Sequence, residues 1–171
     1  SKVQTITLNV SSNCVKIIIE PYNPNWANQF EKESELISQV LKDHSPIIEH
    51  IGSTSVKDLG AKPIIDILIG FPHFINLDKA VKEIQKLNYN YVPEYETTFP
   101  DRRFFYKTKK ETRTHHIHLV KHNSDFWKKH IAFRNHLREN KVDMLAYNQL
   151  KIDLSKQNWE NRNDYTHAKS E

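Results

Sequence analysis

Glu49-His50-Ile51-Gly52-Ser53-Thr54, followed by Lys62-Pro63-Ile64-Ile65-Asp66-Ile67-Leu68, is the stretch whose reading decides the fold. The apolar run from Ile47 to Ile51 predicts a strand that leads straight into Gly-Ser-Thr. Glycine lets the backbone turn tightly and approach a ligand, while Ser53 and Thr54 offer hydroxyls and N–H groups at a helix start. Gly52, Ser53 and Thr54 are therefore candidate phosphate-binding residues. A second strand is expected from Ile64 to Gly70, near-continuously apolar and so covered on both faces. Asp66 interrupts it. A carboxylate there is costly unless it meets a cation, hydrogen-bond donors or a cleft, and this marks Asp66 as a candidate catalytic residue and metal ligand.

Outward from this pair, Val15 to Glu20 is β-branched and predicts a strand closed by the turn Pro21-Tyr22-Asn23-Pro24. Helical spacing begins at Asn25, with Trp26, Phe30, Ile37, Val40 and Leu41 mostly on one face, and Pro46 is expected to end that helix. A helix is expected over Asn76 to Leu87, and strands over Arg102 to Thr108 and Thr114 to Val120. From Ser124, a plausible N-cap, the chain turns helical: one helix carries Phe126, Trp127, Ile131, Phe133 and Leu137, a second spans about Val142 to Leu154, and a third starts near Arg162. Trp26, Trp127 and Phe133 are assigned to the core. The sum is an α+β chain, a mixed sheet flanked by helices with a helical layer over about 123–171 and a loose arm over about 1–12.

The 171 residues suggest a single domain, 1–171, large enough to bury its own core. Cys14 is the only cysteine, which excludes an intrachain disulfide and C-x-x-C metal sites and suggests a reducing, cytoplasmic setting. No apolar run approaches the ~20 residues of a membrane span. The net charge of +4 favours anionic partners, but the basic residues are scattered among acids, so nucleic acid is not an expected partner. Ser53 has no Gly-x-Ser-x-Gly around it, which argues against a nucleophile elbow.

A Gly-Ser pair, twelve residues and then Asp on an apolar strand resembles the signature of the nucleotidyltransferase (polymerase-β-like) superfamily. The wording of both blocks is more closely similar to the GrpB family. So are His116-Ile117-His118, the run Phe126-Trp127 through Phe133-Arg134, and Tyr165 with Ala168-Lys169-Ser170. The resemblance spans about Val15 to Glu171 and implies a nucleotidyltransferase-like mixed sheet. The GrpB family has no characterised function, and some members are fused to dephospho-coenzyme A kinase. The superfamily pattern implies two carboxylates two residues apart on one strand face, binding Mg²⁺ and through it nucleotide phosphates. Here the second position is Leu68. Glu94, Glu96 and Glu111 are the carboxylates that would have to replace it.

His116 and His118 alternate across Ile117, so both leave one strand face, and with Asp66 they form a candidate metal set. Imidazole favours Zn²⁺, Ni²⁺ or Fe²⁺, whereas a phosphate-bound site favours Mg²⁺ or Mn²⁺, the preferred expectation. Hydrogen bonding to phosphate or to Asp66 is the blander role for these histidines, and His118 is also a candidate general base. His50 is expected near the same cleft. Arg102, Arg103 and Arg134 are candidate phosphate clamps. Strand alternation puts Arg103 with Phe105 and Lys107 on one face and Arg102 with Phe104 and Tyr106 on the other, so one arginine of the pair should face the cleft. Lys62, held extended by Pro63, is a further phosphate candidate. Tyr147 and Lys151 share a helix face, as do Tyr165 and Lys169. The leading expectation is a metal-dependent transfer of a nucleotidyl group to a small molecule. A non-catalytic nucleotide- or phosphometabolite-binding module, favoured by Leu68, and a His/Asp transition-metal enzyme stand beside it.

Overall fold

The structure, a computed structural model, describes residues 17–73, 76–157, 166, 168 and 169. Five strands form one sheet: β1 (Ile47–Ile51), β2 (Ile65–Phe71), β3 (Asn90–Tyr91), β4 (Arg103–Lys109) and β5 (Thr112–Lys121). Their order is β1-β2-β5-β4-β3, with β2 and β5 parallel and every other pair antiparallel. Flanking it among the described residues are α1 (Asn25–Val40), α2 (Asn76–Gln85), α3 (Asp125–Glu139) and α4 (Lys141–Ser155). This is the mixed α+β architecture expected from the sequence.

The two faces of β2 explain its unbroken apolar run. Ile65, Ile67, Ile69 and Phe71 point into the main core, where Ile117, Leu119 and Phe105 join Trp26, Phe30 and Ile37 of α1 and Leu77, Ala80 and Ile84 of α2. Leu68 points the other way, into a smaller cluster with Ile51, Val120 and Trp127 of α3. Gly70 lies on that second face, where a Cβ would stand 2.7 Å from Trp127 Cζ3. The missing side chain is what lets α3 lie flat on the sheet. Within the main core Glu33 is buried and ionised, its carboxylate accepting from Tyr89 Oη at 2.7 Å and from Lys107 Nζ. A buried charge is tolerated when paired and hydrogen-bonded in this way.

Capping follows the sequence where short polar residues stand before a helix. Ser124 Oγ accepts from Trp127 N–H, and Asn140 Oδ1 accepts from Asp143 N–H at 3.1 Å. α4 then packs with the end of α3 on the loop after β1, Met144 joining Leu137 of α3 against Val56 and Leu59. It also holds both polar groups of the Gly60 peptide unit. Asn148 Oδ1 accepts from Gly60 N–H at 2.9 Å, and Lys151 Nζ donates to Gly60 O.

Three expectations are corrected. The described part of the Val15–Glu20 segment makes no strand ladder; Glu20 alone pairs with Ala61, through two backbone bonds of 2.9 Å. α1 ends at Val40 rather than at Pro46, because Leu41 plugs the core and a 3₁₀ turn, Lys42–His44, leads to a left-handed Ser45 before the proline. Phe133 is half exposed, since the buried stripe of α3 runs through Trp127, Arg134 and Leu137 and leaves Phe133 edge-on to Tyr147. Arg162, Tyr165 and Ser170 lie outside the described residues. Among those described, no helix is long and apolar enough to cross a membrane.

Candidate functional site

Gly52 ends β1 with φ +73° and ψ −176°, a conformation that glycine adopts without strain. The turn it opens is pinned at once: Ser55 Oγ donates to Gly52 O at 2.5 Å, and Thr54 Oγ1 donates to Ile64 O at 3.0 Å. β1 and β2 are antiparallel with Ile51 opposite Asp66, so the turn is folded over the carboxylate. A methyl group on Gly52 would overlap Asp66 Oδ2 and lie 3.1 Å from Asp66 Cβ and Cγ. The glycine is required twice over, by backbone conformation and by this approach.

The parallel register of β2 and β5 sets Asp66 beside His116 and Leu68 beside His118. His116 Nδ1 stands 3.3 Å from Asp66 Oδ1. Burial opposes ionisation of Asp66, yet the hydrogen bond with His116 and the charges of His116, His118 and Lys169 hold its carboxyl below the usual range. His118 packs against Phe104 and Phe126, and burial pushes its ring down to about 3, with Arg102 and His130 also disfavouring the cation. It is a neutral imidazole at physiological pH. So weak a base is poorly matched to proton abstraction near neutrality.

The C-terminal layer closes the same cleft with cations. Burial, reinforced by Lys169 and Lys62, lowers Lys151 to about 7, while Asp66 pulls it back up. Burial lowers Lys169 likewise, and Asp66 again opposes. Tyr147 hydrogen-bonds with Ser53, and burial raises its phenol despite that bond. The cleft thus joins Gly52, Ser53, Lys62, Asp66, His116, His118, Tyr147, Lys151 and Lys169.

Four sequence candidates are placed elsewhere. His50 neighbours Ile67 across the strands and so leaves the opposite face from Asp66; it stacks on Phe30 at 4.7 Å and bonds Thr54 Oγ1 at 3.0 Å. Burial lowers His50 to about 4. Thr54 is itself buried, its hydroxyl spent on His50 and Ile64. Arg134 is a brace: it donates to Glu49 Oε2 at 2.6 Å, to His50 O at 3.0 Å and to Asn135 Oδ1 at 3.1 Å. With Arg138, which donates twice to Ser55 O, it lines a separate cavity of about 360 Å³ at the β1 edge between α1 and α3. Arg103 leaves the core face, where it donates to Asp78 Oδ1 at 3.0 Å and to Pro100 O at 2.8 Å, with Glu96 Oε1 at 3.4 Å. Of the pair, Arg102 faces the cleft. Arg138 and Asn148, which hold the turn and the following loop, carried no sequence signal; only their distant partners reveal them.

The carboxylates proposed to replace Leu68 do not do so. Glu96 turns to Arg103, while Glu94 and Glu111 are exposed. Among the described residues no three of His, Cys, Asp or Glu lie close enough together to hold a metal ion. Asp66, His116 and His118 share a cleft without forming a ready-made ligand set.

Together these features define a mixed α+β protein in which the described residues set the Asp66 carboxylate under a glycine turn, beside histidines and lysines. The chain belongs to the GrpB family, whose model, described as GrpB protein, matches residues 16–171. It is similar to the glutamate-rich protein GrpB of Alkalihalophilus pseudofirmus, with 29% identity over 91% of both chains. Its identity to YqkA of Bacillus subtilis is 35% over 91% of this chain but 45% of that protein, so the chain spans less than half of that longer relative. The crystal structure of conserved protein GrpB from Enterococcus faecalis superposes with a TM-score of 0.75 at 34% identity, covering 90% of this chain and 95% of the other.

Proposed function

We propose that the Asp66 cleft binds a nucleotide or another phosphorylated small molecule, with its phosphates set between the Gly52-Ser53 turn and Lys62, Lys151 and Lys169. One observation carries this reading: among the described residues Asp66 shares its cleft with Lys62, Lys169 and buried Lys151, and burial with the neighbouring lysine charges lowers Lys151 to about 7 although Asp66 opposes this. An anion entering there restores the charged ammonium, so binding energy is drawn from desolvated lysines. His118, a neutral imidazole, supplies hydrogen bonding rather than charge.

The Gly-Ser turn lying against an ionised Asp66 favours a second, catalytic reading, nucleotidyl transfer in the manner of the superfamily the motif resembles. Leu68 is wholly buried against Val120 and Trp127, so the donor set does not fit two metals. It fits one Mg²⁺ or Mn²⁺ held by Asp66 together with ligand phosphates and water. Such an ion would neutralise phosphate charge; Lys62 and Lys151 would do the same from the protein side.

Calorimetric titration with ATP, ADP and pyrophosphate, each with and without Mg²⁺, tests both readings on wild type, Asp66→Asn and Lys151→Met. The binding reading expects saturable metal-free binding that weakens in Lys151→Met and persists or tightens in Asp66→Asn, where a repelling charge is gone. The catalytic reading adds a Mg²⁺-dependent gain that Asp66→Asn abolishes. No saturable binding of any phosphate compound, with or without metal, would overturn both.

A further inference from the structure

Beyond His118 the Asp66 face continues as a wall of rings. Phe104 lies 5.1 Å from both His118 and Tyr95, and Phe126 lies 5.3 Å from His118 and stacks on His130 at 3.9 Å. Into this wall goes Arg102. Its Cζ sits 3.7 Å from the centroid of Phe99 and 4.3 Å from that of Phe126, so a ring covers each side of the guanidinium.

The contrast with its neighbour is instructive. Arg103 spends its donors on Asp78, Glu96 and two backbone carbonyls. The Arg102 guanidinium makes no hydrogen bond or ion pair with any described residue, and the only carboxylate charge acting on it is that of Asp101. Burial lowers its pKa all the same. A guanidinium carries five N–H donors, and those of half-buried Arg102 meet no described acceptor and are left to water. Stacking fixes the plane and leaves only the edge to meet a partner, and that edge is a planar fork shaped for two oxygens of one anion. His118 senses the charges of both Asp66 and Arg102, so the fork and the carboxylate both stand near that ring. Tyr95 and Phe99, each about half exposed, form the outer lip.

We propose that Arg102 is a specificity residue that receives a second oxyanionic group, carboxylate or phosphate, of the ligand whose phosphates lie at Asp66. The inference rests on that reading of the Asp66 cleft and narrows its substrate class to small molecules with two separated anionic ends. A neutral far end leaves the fork empty and forgoes the bidentate pair that an anion would make there.

Arginine Nε–Hε NMR signals of the whole chain, titrated with inorganic phosphate and separately with acetate, provide the test. The expected result is a saturable shift of the Arg102 signal, with the tighter of the two anions naming the end group. Arg102→Lys, which keeps the charge and loses the fork, should weaken that anion about tenfold, and Phe99→Leu should weaken it less. An Arg102 signal that shifts only linearly, like exposed arginines, overturns the inference, as does unchanged affinity in Arg102→Lys. Pyrophosphate binding that is sensitive to Lys151→Met alongside a silent Arg102 would leave the proposed function standing without this residue. A saturating Arg102 in a chain that binds no nucleotide or pyrophosphate would do the reverse.

Discussion

Gly52 and Asp66 are in contact with no room for a methyl group between them. The strand–turn–strand unit therefore fixes the carboxylate by exclusion, on the side opposite His116. Gly52→Ala should strain the backbone at φ +73° and displace the Asp66 carboxylate from its place beside His116 by pressing on it from the other side, at a cost of about 1–3 kcal/mol. Urea unfolding measures the cost. Phosphate-ligand affinity should fall further than in a surface variant of equal stability.

Gly70→Ala tests the other close approach. Its Cβ would meet Trp127 Cζ3 at 2.7 Å, and overpacking of this kind costs about 1–3 kcal/mol. Near-UV circular dichroism should report a changed Trp127 environment while the far-UV spectrum holds. An unchanged stability would mean that α3 does not rest on the sheet as described.

Acid sensitivity follows from two histidines. Burial lowers His118 to about 3 and His50 to about 4 from 6.5, so between those values and 6.5 the unfolded chain binds protons that the folded chain refuses. Stability should be full above 6.5 and fall as the pH drops, by up to about 1.4 kcal/mol per pH unit for each histidine. Asp66, held low, adds to the loss only below its ordinary value of 3.8. Urea midpoints from pH 7 to 4.5 check this, and His118→Phe should remove about one proton from the slope.

Lys151 acts at the alkaline end. Its folded value near 7 lies below the ordinary 10.5, so between them the unfolded chain is again the more protonated and stability should rise with pH. Lys151→Met should flatten that rise. A slope unchanged by the substitution would show that the ammonium is not desolvated.

Arg134→Ala should destabilise by about 2 kcal/mol, because Glu49 and the His50 carbonyl lose their donor. Its ligand affinity at the Asp66 cleft should be unchanged in the folded fraction. A selective loss of affinity would restore Arg134 as a phosphate clamp.

Much of the fold was legible because period and composition agreed. The β2 run, the Ser124 cap and the strands before and after Lys110 all stand close to where the residues put them. The arrangement of side chains was less legible for reasons of register. Alternation along β1 says that His50 and Ile51 face opposite ways, but only the pairing of Ile51 with Asp66 says which of them sees the cleft. The same holds for Arg102 and Arg103. Phe133 misled because hydrophobicity does not report where the buried stripe of a helix lies, and here a charged residue, Arg134, occupies it.

The parallel pairing of β2 with β5 has a kinetic consequence. Asp66 and His116 come from distant parts of the chain, with α2, β3 and β4 between them. Local helices form within about a microsecond, whereas such a ladder must first close a long loop and is slow for that reason. Until it zips, the carboxylate has no imidazole beside it. The cleft is thus a late product of folding, and a nascent chain that has not yet released β5 from the ribosome holds the Gly-Ser turn without a site beneath it.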